Sequence, residues 1–411
     1  MSSERLLDRF TELTRSVKRV RREASAGSPD FDLAYFRNRP RPSVSQGLGS
    51  DATAGRLPTV VLPGGPGLSS TLPYGTLRRQ AKADGLDLIM IDHRGVGLSR
   101  FDLDGAPLPQ SAMWVDNVLD DIAAVLDVEG VGKANIVGSS YGSYLASAFG
   151  AKYPERVAGM LLDSTLQSAG DLQIERDTIR ALFWDSDSEL AALVRQVGRM
   201  GENQRVLLDV VRAGYELCGP RAVRSILRLR TRGRRGLAWR MLESYAARDA
   251  SIAEAPDYYE FERAGAIGFR ELNYAPKPDG KPLDPALTYS KIAGDFPQFG
   301  GESRDLVAAT EGFRWPLVLL VGDRDIRTPA AIARRAERLA PNPVLIEIEN
   351  GHSALDTHPV ALVKATKLLA QGRATELRGL GPKLSALPRH GGGAAFAKAI
   401  CVAARLGNLR V

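Results

Sequence analysis

The sequence predicts an α/β fold, with a mostly parallel central sheet, helices on both of its faces and an inserted, mainly helical cap domain. Short apolar runs alternate with helical stretches, which is the pattern of parallel strands buried on both faces. This alternation stops between about residues 165 and 306, where the chain is helical and rich in arginine, and then resumes. An insertion of this size between two strands of one sheet indicates a lid or cap.

The individual elements follow in order along the chain. The clearest helix is predicted over 114–126, where aspartates alternate with apolar residues at helical spacing. Seven apolar runs are predicted strands: 31–36, 57–62, 86–91, a run that starts at 135–137, 157–162, 316–321 and 344–348.

The predicted elements indicate how the chain is divided into segments. A helix is predicted over 4–24, and three consecutive glycines at 391–393 indicate a loosely held end of the chain. We expect five segments: an N-terminal helix and extended lead-in (1–57), the first part of the sheet core (58–164), the helical cap (165–306), the second part of the core (307–371) and a loosely ordered C-terminal tail (372–411).

Composition narrows the class of protein. The 44% hydrophobic and 25% charged content is typical of a soluble globular protein, and no apolar run reaches the roughly 18 residues of a membrane span. The chain opens without an apolar signal segment, so a cytoplasmic protein without a membrane partner is expected. Two cysteines and four histidines argue against a disulfide framework and a zinc cluster.

The net charge of +7 raises the question of a polyanionic partner. Positive residues are spread along the chain, with two local clusters at 18–22 and 228–235. No nucleic-acid-binding motif accompanies either cluster, so both are interpreted as solvated helix faces. The sequence therefore predicts no nucleic-acid partner.

A candidate nucleophile lies directly after a predicted strand. Residues 138–142 (G-S-S-Y-G) fit G-x-S-x-G, and a helix-like run follows at 143–153. In this strand–turn–helix setting the central serine sits on a sharp turn that only small neighbours permit. The pattern predicts Ser140 as the nucleophile and the backbone N–H of Tyr141 as one donor to the oxyanion.

A serine nucleophile needs a base and an acid that orients the base. In this arrangement the chain order is serine, acid, histidine, and His352 follows the last predicted strand. Asp325, in the loop after the strand at 316–321, is the first choice for the acid. Asp323 in the same loop is the alternative, and Asp163 after the strand at 157–162 is a third candidate.

The second oxyanion donor is sought in the loop after an early strand. Residues 63–67 (P-G-G-P-G) suit this role, because glycines let the main chain approach a substrate closely. We assign the donor to the N–H of Gly65.

Three segments together resemble the proline iminopeptidases of the α/β-hydrolase superfamily. Residues 63–67 are similar to their H-G-G-P-G loop, and residues 92–99 (D-H-R-G-V-G-L-S) to their D-Q-R-G-x-G-x-S segment. The third segment is residues 138–142, which match the family's triad positions together with Asp325 and His352. Tripeptidyl aminopeptidases carry similar segments. The chain departs from the family at Pro63, where histidine is usual, and at His93, where glutamine is usual.

The resemblance implies an α/β-hydrolase fold and a serine aminopeptidase. Such an enzyme releases an N-terminal residue, often proline, or a short N-terminal peptide through an acyl-enzyme on Ser140, without metal or organic cofactor. Residues 271–274 (E-L-N-Y) resemble the family's E-N-H-Y segment, which makes Glu271 a candidate for binding the substrate amine. Glu254, Asp257 and Glu260 compete for that role.

Two other functions remain open at the level of sequence. An esterase or amidase acting on small non-peptide acyl substrates would use the same triad chemistry. A non-catalytic binding protein on a hydrolase scaffold is the second alternative, and the complete set of Ser, His and Asp argues against it.

Overall fold

A computed structural model describes residues 16–25, 28–39, 57–250 and 258–409 of the chain. The described residues contain one eight-stranded sheet, which forms the centre of the fold. Its strands are β1 (Lys18–Arg22), β2 (Phe31–Asn38), β3 (Thr59–Leu62), β4 (Leu88–Ile91), β5 (Ala134–Ser139), β6 (Val157–Asp163), β7 (Leu317–Gly322) and β8 (Pro343–Ile348).

The sheet has the strand order β1-β2-β4-β3-β5-β6-β7-β8. The pairs β1–β2 and β2–β4 are antiparallel, and every later pair is parallel. The prediction of a mostly parallel sheet is confirmed. Because the carboxyl ends of the parallel strands lie at one edge, the loops after β3, β5, β7 and β8 meet there.

Helices cover both faces of the sheet and form the cap. None in the described part of the chain is long and apolar enough to cross a membrane. The α-helices are α1 (Gly75–Ala83), α2 (Val115–Val128), α3 (Tyr141–Lys152), α4 (Asp171–Phe183), α5 (Glu189–Arg199), α6 (Gln204–Thr231), α7 (Leu237–Ala250), α8 (Phe261–Leu272), α9 (Leu306–Ala309), α10 (Ala330–Leu339), α11 (Ala354–Thr357), α12 (Pro359–Ala370), α13 (Gly381–Ser385) and α14 (Gly392–Leu409).

The apolar strands serve two separate cores. In β3, Val60 and Leu62 contact the cluster on one face, and Val61 contacts the cluster on the other. Successive side chains of a strand point to opposite faces, so a strand covered on both sides must be apolar throughout. This is why the strands could be recognised as continuous apolar runs.

The helices α4 to α8 lie between β6 and β7, in the stretch predicted to be a cap. Helices α4 to α7 have a hydrophobic core of their own, in which Phe183 and Trp239 are buried, whereas α8 packs into the core on one face of the sheet. Helix α6 is kinked at Gly219, whose φ of 76° is followed by Pro220. Proline cannot continue the hydrogen-bond pattern of a helix, so the kink has a local cause.

The helix predicted over 4–24 is wrong where the structure can be compared with it. Residues 18–22 form the edge strand β1, paired antiparallel with β2, and residues 4–15 lie outside the described part of the chain. Burial alternates along this strand: Val20 packs on the core and Arg22, on the same face, donates to Asp121 at 2.8 Å, whereas Arg19 and Arg21 are exposed. Basic residues at strand spacing had been interpreted as a solvated helix face.

The loosely ordered tail predicted for residues 372–411 is also not what the structure shows. Helix α14 packs against α6 and α7, and its Ile400 is fully buried in the cap core. Phe396, one turn earlier, lies with its ring 5.1 Å from that of Tyr245. The helix begins within the run of glycines at 391–393, and these do not prevent it from packing.

Shortening the buried side chain of α14 tests this packing. We expect Ile400→Val to lower the free energy of unfolding by about 0.5–1.5 kcal/mol, because one buried methyl group is lost. Val402 on the same helix is 46% exposed, so Val402→Ala should change the free energy of unfolding by less than about 0.5 kcal/mol. Denaturant midpoints of the two variants give the comparison, and equal values would contradict the docked helix.

Candidate active site

The candidate nucleophile lies on a sharp turn between β5 and α3. Ser140 has a φ of 54°, a conformation that is rare for a non-glycine residue and that presents its side chain at the edge of the sheet. A Cβ on Gly138 would lie 2.0 Å from the carbonyl oxygen of Gly142, and a Cβ on Gly142 would lie 2.0 Å from that of Leu62. Both positions therefore require glycine.

Ser140, His352 and Asp325 form one hydrogen-bonded chain. Nε2 of His352 is 2.9 Å from Oγ of Ser140, and Nδ1 is 3.0 and 3.1 Å from the two carboxylate oxygens of Asp325. Since a carboxylate can only accept, Nδ1 carries the proton and Nε2 accepts from the serine hydroxyl. This is the geometry of a serine activated by a histidine base.

Asp323, the alternative acid, does not contact the histidine. Its side chain is 35% exposed and forms an ion pair with Arg324 at 3.1 Å. It also accepts a hydrogen bond of 2.9 Å from the backbone N–H of Asn350. Asp325, two residues later, is buried and contacts His352, so Asp323 is the weaker candidate for the acid of the triad.

Asp163, the third candidate acid, is buried beneath the nucleophile turn and serves another purpose. It accepts hydrogen bonds from the Ser139 hydroxyl at 2.7 Å and from the backbone N–H groups of Ala354 and Leu355 at 3.0 Å. These contacts tie the end of β5 to the segment that follows His352. Burial raises the pKa of Asp163 to about 6, even though those donors favour its charged form.

The histidine and its acid shift each other's ionisation. Burial alone would lower the pKa of His352, but the attraction of Asp325 and its hydrogen bond outweigh burial and raise the pKa above the usual 6.5. Burial would likewise raise the pKa of Asp325, and the charge of His352 holds it below its ordinary value instead. The pair therefore favours a protonated imidazole next to a carboxylate.

This shift predicts a pH dependence. A protonated His352 cannot accept the proton of Ser140, so kcat/KM should fall as the pH drops through the raised pKa, with a midpoint above 6.5. The pH profile of kcat/KM is measured with an uncharged ester substrate. Such a substrate carries no charge that the other carboxylates of the cavity could recognise. A midpoint at or below 6.5 would contradict the interaction between His352 and Asp325.

The glycine loop after β3 approaches the nucleophile closely. A Cβ on Gly64 would lie only 3.2 Å from the Cβ of Ser140, and Gly65 has a φ of 123°. The carbonyl oxygen of Gly65 accepts a hydrogen bond of 3.0 Å from the hydroxyl of Tyr274. Tyr141 is the first residue of α3, where backbone N–H groups have no partner within the helix.

His93, one of the two departures from the family pattern, contacts Tyr141, the residue that follows the nucleophile. Its Nδ1–H donates to the carbonyl oxygen of Arg94 at 2.6 Å, which leaves Nε2 to accept from the Tyr141 hydroxyl at 3.1 Å. Burial lowers the pKa of His93 to about 4, so the ring is neutral at pH 7. Sequence reasoning did not assign it this contact.

A cavity of about 1030 Å³ opens over the triad. Its walls come from the glycine loop, the cap and the C-terminal segment. No cluster of three or more His, Cys, Asp or Glu within the described ranges could hold a metal ion.

Glu271, predicted to bind the substrate amine, is not part of the cavity wall. It is 2% exposed, and its Oε1 accepts a hydrogen bond of 2.8 Å from the backbone N–H of Val115. The carboxylate therefore satisfies the N-terminus of α2 instead of facing a substrate. Glu260 is likewise engaged by Gly97 and Arg100, whereas Glu254 and Asp257 lie outside the described residues.

Two other glutamates of the cap do line the cavity. Glu175 accepts from Nη1 of Arg212 at 3.1 Å, and burial raises its pKa to about 7 despite that partner. Glu216 is 5% exposed, and its Oε2 accepts from Nε of Arg327 at 3.0 Å. Its Oε1 is buried and has no hydrogen-bond partner in the part of the chain that the structure describes.

Nothing in the sequence singled out Glu175 and Glu216. Each lies on a helix among other charged residues, where a carboxylate is usually interpreted as exposed to solvent. Their proximity depends on how α4 and α6 fold over the sheet. The negative charge of Glu216 contributes to the raised pKa of Glu175, which shows that the two carboxylates are close enough to interact.

Comparison with known proteins agrees with the fold. Residues 58–208 match a family described as alpha/beta hydrolase fold. The proline iminopeptidase of Neisseria meningitidis serogroup A is 33% identical over 106 residues, which is 26% of this chain and 32% of that protein. The proline iminopeptidase of Lactobacillus helveticus is 34% identical over 113 residues, 27% of this chain and 37% of that protein. The matches thus span about a third of these relatives' length.

Solved structures with low sequence identity are also similar. The proline iminopeptidase of Mycobacterium smegmatis aligns with a TM-score of 0.46 at 15% identity, over 87% of this chain and 99% of that one. An esterase, RhEst1 from a Rhodococcus species, aligns with the same TM-score at 17% identity, over 86% of this chain and 98% of that one. The sheet topology and the family match over residues 58–208 show that the chain has an α/β-hydrolase fold.

Proposed function

We propose that this protein is a serine aminopeptidase that removes an N-terminal residue, proline included, or a short N-terminal peptide. The observation that carries the proposal is the buried carboxylate oxygen Oε1 of Glu216, which has no hydrogen-bond partner among the described residues and lies in the wall of the cavity that contains Ser140. A buried polar atom without a partner is costly, and a bound ligand that donates to it removes the cost. The partial matches to proline iminopeptidases support the same activity.

The chemical step uses the triad. His352 takes the proton of Ser140 as the hydroxyl attacks the scissile carbonyl, and Asp325 stabilises the resulting imidazolium. The N–H groups of Gly65 and Tyr141 hold the oxyanion. His352 then gives its proton to the leaving amine. Water activated by the same histidine releases the acyl group from Ser140.

The substrate ammonium binds to Glu216 and Glu175 in this proposal. An ammonium donates hydrogen bonds and carries positive charge, so it favours the ionised form of Glu175, whose pKa of about 7 leaves it partly protonated beforehand. The arginines that pair with these glutamates keep both carboxylates in place. A neutral or acetylated amine offers none of this charge.

The test is hydrolysis of aminoacyl and tripeptidyl amides, with proline and alanine included, each with a free and with an N-acetylated terminus. Turnover is expected only for the free amines, and Ser140→Ala provides the background. A fluorophosphonate probe verifies that Ser140 is reactive in the same preparation. Protein that the probe labels but that hydrolyses only esters would contradict the aminopeptidase and leave the esterase alternative.

A further inference from the structure

The cavity extends beyond the triad into a second region, here called the outer pocket. Its walls are Arg324, the loop 349–353 that ends at His352 and Ser353, and the C-terminal segment 389–401. Three cationic side chains border it: Arg324, Arg389 and Lys398. None of these three cations belongs to the triad.

The two arginines are held by the same loop residue. The backbone N–H of Arg324 donates to the carbonyl oxygen of Asn350 at 2.9 Å. Nη1 of Arg389 donates to the side-chain oxygen of Asn350 at 2.7 Å, and Nη2 donates to the carbonyl of Glu349. Partial burial lowers the pKa of Arg389, and the nearby charge of Arg324 adds to this effect. An anion between them would relieve this repulsion.

The positive charge of the outer pocket is only partly balanced. Asp323 pairs with Nη1 of Arg324, but Nε of Arg324 is buried and without a partner among the described residues. No ion pair involves Arg389 within the described ranges, although Glu349 attracts it from nearby. Asp356, which also borders the cavity, is engaged by the hydroxyl groups of Tyr74 and Ser353.

The outer pocket borders His352, past which a leaving group departs. His352 must protonate the leaving amine, so the leaving group departs past its Nε2. Asn350, which holds both arginines, precedes His352 by two residues, at most about 7 Å of extended chain. A leaving group of one or two amino-acid residues covers a comparable distance.

We propose that Arg324 and Arg389 bind the C-terminal carboxylate of short peptide substrates, so that the enzyme prefers di- and tripeptides with both termini free. This inference rests on the proposed aminopeptidase function. Planar guanidinium groups match the geometry of a carboxylate, and two of them give charge as well as orientation. The carboxylates of the cap then select the amine at one end of the peptide, and the arginines select the carboxylate at the other.

The experiment compares free-acid peptides with their C-terminal amides. Pro-Ala, Ala-Ala and Ala-Ala-Ala are hydrolysed beside the three amides, and release of the N-terminal residue is followed by chromatography. For wild type we expect kcat/KM to be roughly tenfold higher for the free acids. In Arg324→Gln and in Arg389→Gln the ratio of acid to amide should fall to about two or less. Arg373→Gln, an exposed arginine paired with Glu376 outside the cavity, removes the same charge and should retain the wild-type ratio.

Ionic strength supplies a second readout. Arg389 is exposed, so raising the salt from 0.05 to 0.5 M should reduce the wild-type preference for free acids and leave the amides little affected. A wild-type ratio near one, or ratios in the two variants equal to that of Arg373→Gln, would overturn the outer pocket as a carboxylate site.

A failure of the aminopeptidase itself is distinguishable. If no peptide is cleaved, phenyl acetate and 4-carboxyphenyl acetate are compared, since their leaving groups differ in a carboxylate. Arg389→Gln should slow the carboxylated ester selectively, by about five- to tenfold, if the outer pocket receives anionic leaving groups. Equal effects on both esters would overturn the outer pocket as well.

Discussion

Replacing Asp325 by asparagine is expected to lower kcat by about 10⁴-fold. The asparagine amide would place a donor opposite Nδ1 of His352, so the imidazole would carry its proton on Nε2. That tautomer cannot accept from Ser140, 2.9 Å away. The variant also loses the charge that stabilises the imidazolium as Ser140 is deprotonated. The loss of kcat is measured by steady-state kinetics with the best substrate among the aminoacyl and tripeptidyl amides.

Asp323→Asn is the matched control, because it is the same substitution two residues earlier in the same loop. Asp323 contacts Asn350 and Arg324 but not His352, so kcat should fall less than tenfold. Circular dichroism of both variants checks that the loop remains folded. Comparable losses in the two variants would argue that the loop as a whole, rather than the contact to Nδ1, is required.

The parts of the site that the sequence predicted are those built from local rules. The turn at Ser140 needs glycine on both sides because the backbone of the turn itself and of the end of β3 fills the space, and this leaves a pattern that can be read from five residues. His352 and Asp325 follow strands whose ends must meet at one edge of a parallel sheet. Strand recognition was enough to bring these three residues together.

The parts that the sequence did not predict depend on packing between distant segments. Glu271 matched a short family motif, yet its carboxylate is used to hold the N-terminus of α2. Helix α14 begins within a run of glycines, and only its contact with the cap core shows that Ile400 is buried. Short motifs carry no information about which side of a helix the fold will cover.

The proposed amine site at Glu216 can be tested against Glu271, the residue that the motif indicated. We expect Glu216→Gln to lower kcat/KM for free-amine substrates by about 10- to 100-fold, since a hydrogen bond to a charged group contributes about 1.5–3 kcal/mol. Glutamine has nearly the same shape and can still accept from Nε of Arg327, 3.0 Å from Oε2 in the structure. What it loses is the negative charge and the second acceptor, Oε1, that the ammonium requires.

Glu271→Gln is the matched control, because the sequence motif and the structure disagree about this residue. Its side chain can still accept from the N–H of Val115 after the change, so the ratio of free-amine to uncharged ester turnover should stay at the wild-type value. In Glu216→Gln the same ratio should fall, because the ester has no ammonium to lose. If the ratio falls in Glu271→Gln and not in Glu216→Gln, the amine is bound where the motif predicted it, and the cap must rearrange around Glu271 when substrate enters.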